Sequence, residues 1–217
     1  MPGDLQGIFL RYQPLIGNLA GDVYNIYRPN YSIVDNTPQL IYESIPIFCD
    51  PNERKFAEPR LSGVSYYNCF LERSLIQSGD VIQQTTSDGV TPKLTIAHLM
   101  PMKAAQAFRT NRIGEFRDTE DHVVYSNVCF EYLGSGFPGS SMNSALEDSL
   151  RIPRQQIVIY SRTNLITLRM LLIETDGLAT ITDSYGNTIK YQKRWKIEQI
   201  DNLFPITVLT VSNALDS

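Results

Sequence analysis

Few residues in this chain could do chemistry, and their spacing limits what that chemistry is. There are two histidines, His98 and His122, and neither has a second ligand at metal-binding spacing. A lone histidine of this kind reads as a surface or hydrogen-bonded side chain. The three cysteines, Cys49, Cys69 and Cys129, are odd in number, widely spaced and without a C-x-x-C. That pattern belongs to free, buried or half-buried thiols in a reducing compartment, with one disulfide plus an orphan as the minority arrangement. The acidic pairs Glu115/Asp118 and Glu120/Asp121 have the residue types of a general acid and base, and two distant carboxylates are what an all-β hydrolase needs. Such pairs are also common on any surface. The stretch GSGFPGSS has the letters of a phosphate loop without its lysine-then-hydroxyl ending, and no G-x-S-x-G elbow occurs. The basic string Lys190, Lys193, Arg194 and Lys196 reads as a solvated hairpin face, with contact to a phosphate or an acidic partner as the alternative. The expectation is a protein that is not an enzyme, with no catalytic, cofactor-binding or metal residues and no cofactor.

Length and composition set the frame. The chain has 217 residues, enough for one large domain or two small ones, burying roughly 70% of the surface its unfolded chain exposes. Apolar residues make up 42% and charged residues 19%, and the net charge of −4 argues against a broad basic face for nucleic acid. The opening residues, MPGDLQGIF, lack the basic-then-apolar pattern of a signal peptide. No apolar run reaches the ~18 residues of a membrane span. The expected place of synthesis is the cytosol, with no membrane partner.

The elements follow from periodicity and punctuation. Leu5, Ile8, Phe9 and Tyr12 recur at helical spacing, so Asp4 to about Ala20 is expected as a helix capped by Asp4 and split or kinked at Pro14. Tyr24, Tyr27 and Tyr31 cluster around Arg28, as an aromatic strand edge or as an interface. Residues 33–77 look irregular, with a short strand near Ile41 to Ile47, a turn at Asp50-Pro51-Asn52, and prolines that exclude long helices. Val81-Ile82, a turn at Asp88-Gly89 and Leu94 to Ala97 form a strand-turn-strand ladder of the kind that builds small barrels. His122 to Tyr132 is a further strand. Leu133 to Leu150, rich in Gly and Ser, is expected as a linker or exposed loop. Strands are expected again at Gln156 to Tyr160, Leu165 to Leu172, Thr180 to Thr182, Ile189 to Tyr191, Trp195 to Ile197 and Thr207 to Val211.

The second half echoes the first. Gly79-Asp80, the Asp88-Gly89 turn, Leu94 to Ala97, Pro101 and Asn111 have counterparts in Asp176-Gly177, the turn from Asp183 to Gly186, Lys196 to Ile200, Pro205 and Asn213. The fold class is therefore mainly β with an N-terminal helical segment, built of small β-barrel or sandwich modules, two if the echo is a duplication. The expected division is 1–132, a helix with a barrel-like domain; 133–150, the linker or loop; and 151–217, a C-terminal β domain.

Several of these stretches together resemble a family of tailed-bacteriophage virion proteins. The matching residues are the N-terminal helix leading into Tyr27-Arg28-Pro29, then Gly79-Asp80-Val81, Leu94 to Ala97, Pro101 and Arg109-Thr110-Asn111-Arg112. In ITDSYGNTIKYQKRWKIEQ the pattern is Asp183, Gly186, Tyr191 and Glu198. The chain departs from the family at Asp176-Gly177, where Gly-Asp is expected, and in the Gly/Ser segment. The Gly79-Asp80 turn is similar to that of the small-barrel head-completion, or stopper, proteins of the phage neck. The resemblance implies a virion protein that forms a ring-like adaptor at the head–tail junction. Its partners would be other copies of itself and portal, adaptor or tail proteins, with DNA passing transiently through the ring. Rings use heterologous interfaces, and strand addition at an open sheet edge is one way to make them. The candidate interface residues are Tyr24, Tyr27, Arg28, Tyr31, Phe137, Lys193, Arg194 and Trp195. The competing expectations are a tail or tail-tip component with a carbohydrate-binding module using Tyr66, Tyr67 and Trp195, and an all-β hydrolase.

Overall fold

The fold is seen in a computed structural model that describes residues 5–30, 37–52, 66–84, 93–99, 103–133, 154–160, 166–176, 178–182, 188–203 and 206–214. One helix, α1 (Leu5–Ala20), precedes β1 (Asp22–Arg28), β2 (Gln39–Asn52), β3 (Tyr66–Phe70), β4 (Val81–Gln84), β5 (Lys93–His98) and β6 (Ala105–Arg109). Then follow β7 (Arg112–Arg117), β8 (Val123–Leu133), β9 (Arg154–Tyr160), β10 (Leu171–Glu174), β11 (Ala179–Thr182), β12 (Thr188–Tyr191), β13 (Arg194–Leu203) and β14 (Ile206–Asn213). The mainly β architecture with an N-terminal helix is the one the sequence leads one to expect.

The strands close into two six-stranded antiparallel barrels plus a separate two-stranded sheet, β11–β12. The first barrel runs β1–β2–β3–β6–β5–β4, and β4 returns to β1. The second runs β7–β8–β9–β14–β13–β10, and β10 returns to β7. Numbered within each barrel, the two orders are the same.

The registers agree as well. In the first barrel Tyr24 faces Ile45 and Ile26 faces Tyr42, so Glu43 and Ser44 bulge opposite Asn25. In the second, Gly114 faces Val128 and Phe116 faces Tyr125, so Ser126 and Asn127 bulge opposite Glu115. Ser44 (φ 57°) and Asn127 (φ 52°) both take the left-handed conformation that such bulges use. A second irregularity follows Ile96 in β5 and Ile197 in β13. Around the circle Ile26–Ile82–Leu94 matches Phe116–Leu172–Trp195. The remaining seam agrees too: Cys49–Cys69–Ala105 matches Tyr132–Ile157–Leu209. Matching strand order, matching bulges and matching closure describe one barrel built twice.

Each barrel is filled by its inward-facing residues. Along β1, Tyr24 and Ile26 point in while Val23 is exposed, the period-2 alternation of a strand with one buried face. The first core contains Tyr24, Ile26, Ile47, Cys69, Ile82, Ile96, Ala105 and Ala107. The matching positions of the second hold Phe116, Phe130, Ile157, Leu172, Ile197, Leu209 and Val211. Where the first barrel has the ring of Tyr24, the second has Gly114, whose added Cβ would lie 2.8 Å from the Ile173 carbonyl oxygen and 3.0 Å from Phe130 Cε1. The larger Phe130, Leu209 and Val211 occupy that interior where the first barrel has Ile47, Ala105 and Ala107. Protein interiors are close-packed, so a missing ring in one wall must be offset from another.

Four expectations need correcting. The chain passes from the first compact unit to the second between Asn111 and Arg112, not at 133–150. The strands that flank 133–150, β8 and β9, pair with each other through Phe130 and Ile159, so they belong to one barrel. Residues 134–153 themselves lie outside the described set, as do Asp4 and the Asp88-Gly89 turn. Pro14 does not split α1, which runs unbroken from Leu5 to Ala20. A proline removes one ladder bond, and here the helix is braced by the sheet: a Cβ on Gly17 would come within 2.9 Å of the Pro46 carbonyl oxygen. The region expected to be irregular contains the longest strand, β2, which passes through Pro46 and Pro51. A strand tolerates proline where the nitrogen is not needed as a donor. Finally, the apolar run from Leu165 gives a strand only from Leu171, after a turn in which the Met170 N–H bonds the Thr167 carbonyl and Leu168 is exposed.

Candidate functional site

A buried group of interacting polar side chains lies at one end of the second barrel, around Glu174. This carboxylate ends β10 and its side chain is only 4% exposed. Burying a charge is costly unless it is paired and hydrogen-bonded. Three groups from three other parts of the barrel pair it. The Tyr132 hydroxyl, from β8, donates to Oε2 at 2.7 Å. Arg112, which begins β7, places Nη1 3.2 Å from Oε1, and Lys193, just before β13, places Nζ 3.7 Å from Oε2. Asp176 is a longer second contact of Arg112 at 4.0 Å.

Tyr132 is the hub of an aromatic and cationic stack. The Arg112 guanidinium lies 5.8 Å and the Lys193 ammonium 5.4 Å from its ring centre, the range of cation–π attraction. Phe130 at 5.7 Å and Trp195 at 5.9 Å meet the ring edge-on. Burial first, and then the Glu174 carboxylate, hold the Tyr132 phenol far above its usual pKa, so it remains a hydrogen-bond donor. The network links β7, β8, β10 and β13. The Glu174 carboxylate is met by three of its members, so what the network can do is lock the barrel end.

The first barrel has its own buried carboxylate at the start of β4. Asp80 is fully buried and takes a two-pronged bond from Arg28, Nε to Oδ1 at 2.9 Å and Nη2 to Oδ2 at 2.8 Å. The Gln77 backbone N–H adds a third bond at 2.8 Å. The hydrogen bond to Asp80 raises the Arg28 pKa. This pair ties the end of β1 to the start of β4, the seam that closes the barrel.

The expected interface residues are scattered by this arrangement. Tyr24 is buried in the first core, where burial raises its pKa, so it is not a surface contact. Tyr27 is half-buried, and Arg28 is committed to Asp80. Tyr31 and Phe137 lie outside the described residues. Lys193 is held by Glu174, and Trp195 packs half-buried on the second core beside the half-buried Arg194. The basic string is partly neutralised by its own strand, since Lys196 Nζ lies 3.6 Å from Glu198.

The competing chemistries are placed as plainly. Of the aromatic platform expected for a carbohydrate module, Tyr66 is buried, its phenol pushed up to about 12, and Tyr67 packs on the first core, while Trp195 belongs to the other barrel. The acidic pairs serve a turn. Asp118 accepts the backbone N–H groups of Glu120 and His122, and the His122 bond leads in holding its pKa low. Glu115 and Asp121 both bind Arg117. Among the described residues no three His, Cys, Asp or Glu side chains gather as metal ligands. Among the described residues no helix is long and apolar enough to cross a membrane.

Sequence reasoning missed Glu174 and Tyr132 because 42 residues separate them. The only local signal was a glutamate ending an otherwise apolar strand. No family model matches the chain, and no curated protein or solved structure matches it either.

Proposed function

We propose that this chain is a non-catalytic assembly protein of a tailed-phage virion, a ring-forming adaptor at the head–tail junction. The phage assignment rests on the sequence resemblance. The structural observation that favours assembly is the outward face of α1. Tyr12, Leu15, Ile16 and Leu19 are all exposed, Leu19 at 86%, on a helix whose Gly17 side packs against β2 and β3. A neighbouring turn-by-turn group of large apolar side chains in water favours burial against a protein partner. Strand addition has little scope in the barrels, since closure removes their edges. Among the described strands the open edges belong to β11 and β12. Contacts in the ring therefore run through side-chain surfaces such as α1, or through that hairpin.

The test is light scattering on the purified chain, alone and mixed with portal and tail-completion proteins. The expected result is a ring alone or a stable complex with one of them. Replacing Leu15 and Leu19 together by Glu should abolish assembly and leave the melting temperature of the monomer unchanged. A wild-type chain that stays monomeric and engages neither partner overturns the reading.

A further inference from the structure

The first barrel holds a pair of thiols in position to react with each other. Cys49 in β2 and Cys69 in β3 are direct cross-strand partners. Their Sγ atoms stand 2.9 Å apart with no disulfide between them. Directly opposed residues of an antiparallel pair have Cα atoms about 4.5–5.5 Å apart, inside the 4.4–6.8 Å window that a disulfide requires. The backbone therefore needs no rearrangement to accept the bond. Cys69 is fully buried in the core and Cys49 is half-buried against it.

We propose that Cys49 and Cys69 are a redox modification site, closing to an intramolecular cross-strand disulfide on exposure to a low-molecular-weight disulfide. The two thiols play different parts. Burial raises the Cys69 pKa and suppresses its thiolate, so the more accessible Cys49 attacks first. The Cys49 thiolate attacks one sulfur of the oxidant, RS–SR. An S–S bond forms between Cys49 and one R–S group, and the other leaves as thiolate and takes up the Cys49 proton. The Cys69 sulfur then attacks the Cys49 sulfur of this mixed disulfide. The second R–S group leaves with the Cys69 proton. Two cysteine thiols have lost two electrons, and one oxidant disulfide has become two thiols.

The two strands joined this way are the ones α1 rests on. The loop closed by the bond, 20 residues apart in sequence, is long enough for the cross-link to restrict the unfolded chain appreciably. The matching rung of the second barrel carries Tyr132 and Ile157, so the site exists in one barrel only. Cys129 lies in the second barrel, in β8, and serves as an internal control.

The full-length chain is incubated natively with oxidised glutathione, quenched, denatured, and its thiols counted. The expected result is a fall from three thiols to one, with the peptides of Cys49 and Cys69 linked in a digest. The melting temperature should rise by on the order of 5 °C. Cys129→Ser should leave the cross-link intact, and Cys49→Ser should abolish it. Cys49→Ser is the informative variant because Cys49 is the less buried partner, and Cys69→Ser places a hydroxyl in the core. Three thiols retained in the native protein, glutathione left standing on Cys49, or a link that involves Cys129 would each overturn the proposal.

Discussion

At matching positions the two barrels carry different groups. One rung holds Cys49 opposite Cys69 in the first barrel and Tyr132 opposite Ile157 in the second. Buried carboxylates show the same divergence. Asp80 stands at the start of β4 with a single cationic partner, whereas Glu174 stands at the other end of the corresponding strand, β10, with three side chains around it. Backbone geometry was kept down to the bulges at Ser44 and Asn127, while each barrel solved its own seam and its own packing. What the fold demands is closure; which residues supply it is open.

The largest effect should come from unpairing a carboxylate that has one cation. Arg28→Ala leaves Asp80 buried and uncompensated, and should cost about 3 kcal/mol in denaturant unfolding. Arg112→Ala should cost about 1 kcal/mol, because Lys193 and Tyr132 still hold Glu174. Equal losses in the two variants would show that redundancy at Glu174 is illusory.

A smaller effect is expected from the exchange of volume between walls. Gly114→Ala pushes a methyl group against the Ile173 carbonyl and the Phe130 ring, and should cost about 2 kcal/mol. Combining it with Phe130→Leu should lose less than the two single changes summed, measured as a double-mutant cycle. Strict additivity would break the idea that the two positions share one space.

The smallest effect concerns pH. Burial lowers the His98 pKa, so the first barrel favours the neutral ring. Its contribution is complete above the unfolded-state value of about 6.5 and is lost as pH falls below it. The matching residue of the second barrel is Gln199, which does not titrate. His98→Gln should flatten the loss of melting temperature between pH 7 and pH 5, and an unchanged slope would place the acid sensitivity elsewhere.

Much of this repetition was legible in the sequence. Leu94 to Ala97 and Lys196 to Ile200 do lie in corresponding strands, β5 and β13, and Asn111 and Asn213 mark the ends of the matching halves. Pro101 and Pro205 fall in sequence between the corresponding strand pairs. The first landmark misled, since Gly79-Asp80 precedes β4 whereas Asp176-Gly177 follows β10 and leads into the added hairpin β11–β12. An insertion between two paired strands shifts every turn signal without touching the register. The exact matches, Tyr24 with Gly114 or Cys49 with Tyr132, share no residue type and cannot be aligned by eye. Tyrosines set in turn-like surroundings suggested a surface, but alternation along β1 turns Tyr24 inward. The Glu174 network was hidden for a different reason. Its members meet only when the circle of strands is complete, and local patterns carry no information about that.

The return of β4 to β1 also has a temporal side. Every strand of the first barrel has been synthesised once Arg109 is added, with only Thr110 and Asn111 before β7 begins. The amino-terminal half can therefore reach its native topology during synthesis of the rest. Misregistered pairing between two barrels of the same strand order is the hazard that a repeated fold carries. Finishing one copy before the other emerges separates them in time rather than by sequence.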